Sequence, residues 1–107
     1  MQPAFRALAD PTRRGIISLL AQEDMTIAEV AGHFDMTRAA VKKHLIVLED
    51  GGVIATHQSG RDRINQLQPL ALKSVADWLN HFDHFWNDRL SALKDAVEAD
   101  DQNKQEK

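Results

Sequence analysis

Residues 26–63 read TIAEVAGHFDMTRAAVKKHLIVLEDGGVIATHQSGRDR, and the order of local signals in this stretch decides the fold. Thr26 stands where it can N-cap a helix, and Glu29 three residues later completes a capping box. Met25 and Val30 occupy the positions of a hydrophobic staple. The device then repeats, with Thr37 as N-cap and Met36 against Val41 as staple. Between the two starts, Gly32-His33-Phe34-Asp35 is short enough for a tight turn.

The second of these helices divides by face. At helical spacing Val41, Leu45 and Leu48 form an apolar stripe that must pack inward. Arg38, Ala39, Lys42 and Lys43 fall largely on the other side, toward the N-terminal half. Long cationic donors beside a small residue suit a helix that approaches base edges and phosphates, although a solvated face carries the same charges. Downstream, Val53 to Gln58 and Arg63 to Gln68 read as two short strands, with Ser59-Gly60-Arg61-Asp62 as the turn. Arg61 and Arg63 at the tip are within reach of phosphates or a minor groove, while Asp62 between them weakens the local field. Two paired helices followed by a basic hairpin predict a winged helix-turn-helix, mainly α with a small β-hairpin wing. They favour DNA contact over a plain surface hairpin.

The flanks read as scaffold. Asp10-Pro11 is an N-cap followed by Pro at the first helical position, and Ile16, Leu19 and Leu20 give a buried stripe to about Gln22. Arg13 and Arg14, just inside that start, suit the DNA backbone and a solvated surface equally. From Leu70 to about Glu98 the chain lacks Pro and Gly and predicts one long helix. Val75, Leu79, Phe82, Trp86, Leu90, Leu93 and Val97 form its apolar seam, widened by Trp78 and Phe85. A second copy of the chain is the expected cover, because a reader of a palindrome needs a rigid two-fold join. The expected domain is therefore 1–97, with Glu98 to Lys107 a disordered polar tail.

Composition sets bounds on function. At 107 residues, 43% apolar, the chain supports one modest core. It lacks any run of 18 apolar residues and any signal-peptide pattern, so a cytoplasmic protein is expected. The formal net charge is −3, from 13 basic and 16 acidic side chains. All of that excess lies beyond residue 69, while residues 36–63 hold five basic and three acidic groups. A local positive patch on an acidic chain suits site-specific DNA binding better than indiscriminate coating. No cysteine nucleophile, Gly-rich phosphate loop or Gly-x-Ser-x-Gly occurs, so no enzyme and no cofactor are expected. The other class to weigh is a winged-helix module that binds protein. Asp77, His81, His84 and Asp88 sit at i, i+4, i+7 and i+11, where a zinc-binding face competes with a solvated polar face. His33, His44 and His57 are isolated, and His44 reads as a packing or phosphate-contacting residue.

Phe5 through Arg14 (FRALADPTRR), with Met36 through Val41, His44-Leu45, Leu48-Glu49 and Gly60-Arg61, resembles the ArsR/SmtB-type bacterial repressors. The resemblance runs from about Phe5 to Leu93. It implies a homodimeric, cytoplasmic repressor of its own or a neighbouring operon, with a recognition helix at residues 37–50 and a wing at 53–68. The expected DNA contacts are Thr37, Arg38, Ala39, Lys42, Lys43, His44, Arg61 and Arg63, on a palindromic duplex. It also implies dimerisation through the terminal helices, with Phe5 and Leu8 joining Val75, Leu79, Phe82, Trp86, Leu90 and Leu93. The departures are specific. Metal-sensing members carry a Cys-x-Cys-type pair in the first helix of the motif, whereas this chain has Ile27 to Gly32 there and no cysteine. Thiolate sensing of soft metals is thereby excluded. The zinc sensors' last-helix Asp-x-His and His pairs are missing too, Lys42 replaces a frequent Ser, Asn65 a frequent wing tyrosine, and Ile46 a commonly polar residue.

Overall fold

The computed structural model describes residues 2–105, whose elements run α1 (Gln2–Leu8), α2 (Pro11–Gln22), β1 (Met25–Thr26), α3 (Ile27–Ala31), α4 (Arg38–Asp50), β2 (Ile54–Ser59), β3 (Asp62–Leu67), α5 (Pro69–Asn80) and α6 (Asp83–Gln105). The mainly α fold with a hairpin wing is the expected one. Two compact units divide it, the first running to Val75 and the second from Ala76 onward.

The starts of α2, α3 and α4 are made as their sequence dictates. Asp10 Oδ2 accepts the Arg13 N–H at 3.1 Å, with Pro11 at the first helical position of α2. That bond, with help from His44 and Arg13 and against desolvation, holds the Asp10 carboxyl below its ordinary value of 3.8. Because the folded value is the lower one, this stabilisation is present above pH 3.8 and is lost as pH falls through the folded value. Thr26 accepts from Glu29 N–H at 3.2 Å while Glu29 Oε1 accepts from Thr26 N–H at 3.1 Å, closing the capping box. Thr37 accepts from Ala40 N–H at 3.1 Å and starts α4.

The end of α4 is as well defined. Gly52 N–H donates to Glu49 O at 2.9 Å and Val53 N–H to Leu48 O at 3.0 Å, with Gly52 at φ 72°. This is a Schellman motif: the left-handed residue is glycine, and Val53 and Leu48 are both fully buried beside it. The core then assembles around α4. Ile16 and Leu20 of α2, Val30 of α3, Val41, Leu45 and Leu48 of α4, and Val53 and Ile54 leading into the wing form one apolar cluster with Met25 and Ala7.

The sheet has the order β1-β3-β2 and is antiparallel throughout. The hairpin pairs Ile54 with Leu67 through Ser59 with Asp62, leaving Gly60 and Arg61 as a two-residue loop. The strands are thus shifted by one residue from the expected 53–58 and 63–68. Gly60, at φ 62°, takes the conformation that such a short loop requires of its first residue. The third strand was not expected. Met25 and Thr26 pair with Asn65 and Ile64 of β3, in a segment too short to carry a period of its own.

In the second unit the expected single helix from Leu70 to Glu98 is broken. His81 N–H donates to Trp78 O at 3.1 Å and Phe82 N–H to Leu79 O at 3.0 Å, bonds three residues back that tighten the last turn of α5. Phe82 O then receives the Trp86 N–H at 2.9 Å and opens α6. Asn80 and His81 are weak helix formers, so nothing local opposes the break. α6 extends through Glu98 to Gln105, into the stretch expected as a disordered polar tail. Ala, Glu, Gln and Lys support helix without needing a core, and Lys94 and Glu98 approach to 3.9 Å one turn apart. Glu106 and Lys107 lie outside the described residues.

Gly51 marks the tightest helix approach. A Cβ there would lie 2.7 Å from the Pro3 carbonyl oxygen and 3.2 Å from Ala7 Cβ. Gly51→Ala is therefore expected to force α1 off α4 and lower stability by about 1–3 kcal/mol. Urea unfolding followed by circular dichroism should show an earlier midpoint at unchanged slope.

Candidate nucleic-acid interface

Burial of one face of α4 determines what the other face shows. Val41, Leu45 and Leu48 are within the core, and helical geometry then turns Arg38, Ala39, Lys42, Lys43 and Ile46 outward, all exposed. Arg38, Lys42 and Ile46 follow one another at four-residue spacing, so Ile46 extends the basic row as an aliphatic patch, 47% exposed. Thr37 is also exposed, with its hydroxyl engaged at the start of α4.

The wing places a second row opposite this one. Strand register puts Ile54, Thr56 and Gln58 of β2 on the same face as Leu67, Asn65 and Arg63 of β3. Arg63 reaches diagonally across that face, and Thr56 Oγ1 accepts from its Nε at 3.2 Å and its Nη2 at 2.8 Å. A groove of about 450 Å³ runs between helix and wing, lined by Lys42, Ile46 and Glu49 on one side and Thr56, Arg63 and Asn65 on the other. Two cations on separate elements therefore flank one channel. Arg61 stands exposed in the hairpin loop, where Gln58 Nε2 donates to Gly60 O at 3.2 Å.

Asn65 was noted in the sequence only as a replacement, and the structure gives it a function in the fold. It is 4% exposed and its Nδ2 donates to the Met25 carbonyl at 3.2 Å, tying the wing to β1 across 40 residues. The signal available in sequence was an amide on the inward side of a strand, which demands a partner without naming it.

Two other basic residues are engaged by α1. Arg13 donates from Nε to Ala7 O at 2.9 Å and from Nη2 to Arg6 O at 2.8 Å, and Arg14 donates from Nη1 to Leu8 O at 2.7 Å. Both guanidinium groups thus cap the last carbonyls of α1, with Arg14 still exposed to solvent. His44, expected among the contacts, is half-buried on the α2 side of α4, with Nδ1 3.4 Å from Arg13 Nη1 and 3.9 Å from Asp10 Oδ2.

The candidate zinc face on Asp77, His81, His84 and Asp88 loses its premise. The break at His81-Phe82 ends the helical register that aligned the four, and His81 Nδ1 lies 3.2 Å from Trp78 O. Among the described residues, no three His, Asp or Glu side chains are grouped to hold a metal ion. No described helix is long and apolar enough to cross a membrane.

Comparison with known proteins follows this geometry. The model of the bacterial regulatory proteins of the arsR family matches residues 10–56, from the cap of α2 into β2. The chain is 34% identical over 82 residues to the transcriptional repressor SdpR of Bacillus subtilis, covering 77% of this chain and 91% of that protein. It is 32% identical over 97 residues to the HTH-type transcriptional regulator Rv2034 of Mycobacterium tuberculosis, covering 91% and 88%. A crystal structure of an ArsR family transcriptional regulator superposes with a TM-score of 0.72 at 37% identity, over 80% of this chain and 94% of that one.

Removing the Asn65 amide should loosen the wing. Asn65→Ala leaves the Met25 carbonyl without its side-chain donor and is expected to cost about 1–3 kcal/mol. Thermal unfolding would register this as a lowered midpoint, and an unchanged midpoint would show that the amide carries no structural weight.

Proposed function

The chain belongs to the arsR family of bacterial regulatory proteins, and from that premise we propose a homodimeric repressor that reads a palindromic operator in double-stranded DNA. Its relatives are transcriptional regulators, not enzymes. The observation that carries the reading is the pairing of the exposed basic face of α4 with Arg63 of the wing across one groove. In this reading α4 enters the major groove, and the wing lies against the flanking backbone or minor groove. Arg38 and Ala39 approach base edges, and Lys42, Lys43, Arg61 and Arg63 neutralise phosphates. Thr37 sits at the start of α4, where its backbone N–H groups face an anion. His44 contributes from behind the helix. Regulation of its own or a neighbouring operon, in the cytoplasm, goes with this role.

Dimerisation follows from unsatisfied apolar surface. Trp86 is 51% exposed, Leu90 and Leu93 are each 61% exposed, and Leu79 and Phe82 add to the same class of surface. A second copy would cover these residues together with Phe5 and Leu8, whereas Val75, expected at the same join, is only 8% exposed and already buried within its own chain. Two reading heads would then meet successive half-sites.

Fluorescence anisotropy on the DNA upstream of the chain's own gene, against a scrambled duplex across a salt series, tests the reading. Tight binding to the first duplex, weakening steeply with salt, is the expected result. Lys42→Ala/Lys43→Ala should weaken binding and lower the salt slope by about 1 per lysine, with the dimer retained. Equal affinity of variant and parent would remove α4 from the interface. Sedimentation supplies the companion measurement: Leu90→Asp/Leu93→Asp is expected to yield monomers that bind the operator at least about tenfold more weakly. A dimer that survives both substitutions would place the join elsewhere.

A further inference from the structure

We propose that His44 is a positioning residue for α4, held in register by the guanidinium of Arg13, an inference that rests on the DNA-reading function above. Arg13 aims its three nitrogens at three partners. Nε donates to Ala7 O at 2.9 Å, Nη2 donates to Arg6 O at 2.8 Å, and Nη1 lies 3.4 Å from His44 Nδ1. A guanidinium only donates, so Nδ1 accepts and the ring proton sits on Nε2. One rigid planar fork thereby joins the last turn of α1 to the middle of α4.

This bond supplies what the apolar core cannot. Burial of Val41, Leu45 and Leu48 fixes which face of α4 turns outward, and the Arg13 fork adds a directional hydrogen bond to that packing at His44. Lys43 and Lys42 immediately precede His44 and are exposed, so a small turn of α4 displaces their ammonium groups. His44 itself touches no DNA in this arrangement.

The same ring nitrogen faces two partners of opposite charge. Asp10 Oδ2 lies 3.9 Å from Nδ1, and its carboxyl is held ionised, chiefly by the Arg13 N–H. Protonation of His44 removes the lone pair that accepts from Arg13, sets two cations 3.4 Å apart, and offers the new N–H to Asp10. The other charged groups nearby are engaged differently. Arg14 caps Leu8 O, and Arg6 of α1 lines a groove with Val47 and Asp50. The Arg13–His44 bond therefore holds only with neutral His44, and operator affinity should fall on acidification.

The test uses the full chain and its variants His44→Gln and His44→Leu. The Gln carbonyl still accepts from Arg13 but does not titrate, whereas Leu does neither. Anisotropy on the upstream duplex at fixed salt is compared at about pH 8 and about pH 5.5, the span over which histidines change charge. Circular dichroism at both values confirms folding. The parent should bind at least about fivefold more weakly at the lower pH, the size of a typical coupling between sites. His44→Gln should lose that decline, and His44→Leu should bind more weakly than His44→Gln at both values while remaining folded. Histidines shared by all three proteins, including His57 on the wing, cancel in the comparison. A parent without the decline, a decline that persists in His44→Gln, or a His44→Leu that binds as the parent does would overturn the proposal. Failure of the parent to prefer the upstream duplex at any pH would instead overturn the DNA-reading function at that site.

Discussion

The structure depends on a single helix meeting two opposed demands. α4 must bury Val41, Leu45 and Leu48 to complete the core, and the 3.6-residue period then obliges Arg38, Lys42 and Ile46 to face solvent. Every neighbour serves that placement. α1 lies close enough to require Gly51, α2 supplies Ile16 and Leu20, and the wing grows directly from the Schellman turn that ends α4. The exposed basic face of α4 is thus the by-product of a packing solution, which is why it is rigid without being stabilised for its own sake.

The basic residues show how little charge alone reveals about role. Arg13, Arg14, Arg38, Lys42 and Arg63 look alike in composition, yet their partners divide them. Arg13 and Arg14 complete the C-terminal end of α1, whose last carbonyls would otherwise lack partners. Arg63 is oriented by Thr56 toward the groove that Lys42 also lines. Arg13 is fixed within the fold by two backbone carbonyls, whereas Arg63 is steadied by one hydroxyl beside an open groove.

The corrections come from places where local signals were weak or ambiguous. The break at His81-Phe82 interrupts a run with no Pro or Gly, and its cause is the pair of tightened bonds to Trp78 and Leu79, not any residue that forbids helix. That break also dissolves the aligned His and Asp face, since alignment over 11 residues assumes an unbroken period. In the tail, α6 extends to Gln105 through residues whose polar composition alone suggests disorder.

Sequence by itself determined the helix starts and the faces. Asp10-Pro11, Thr26 with Glu29, and Thr37 act within four residues, so their hydrogen bonds are written in local spacing. The stripe of α4 and the two-stranded wing follow from periods of 3.6 and 2 for the same reason. Tertiary structure alone decided the contacts between distant segments: β1 on β3, Asn65 with Met25, Arg63 beside Lys42, and Arg13 between α1 and His44. Those partners lie 21 to 40 residues apart or are joined by backbone carbonyls, which every residue carries. No spacing rule reaches that far, because such pairs form only once packing has fixed where each element lies.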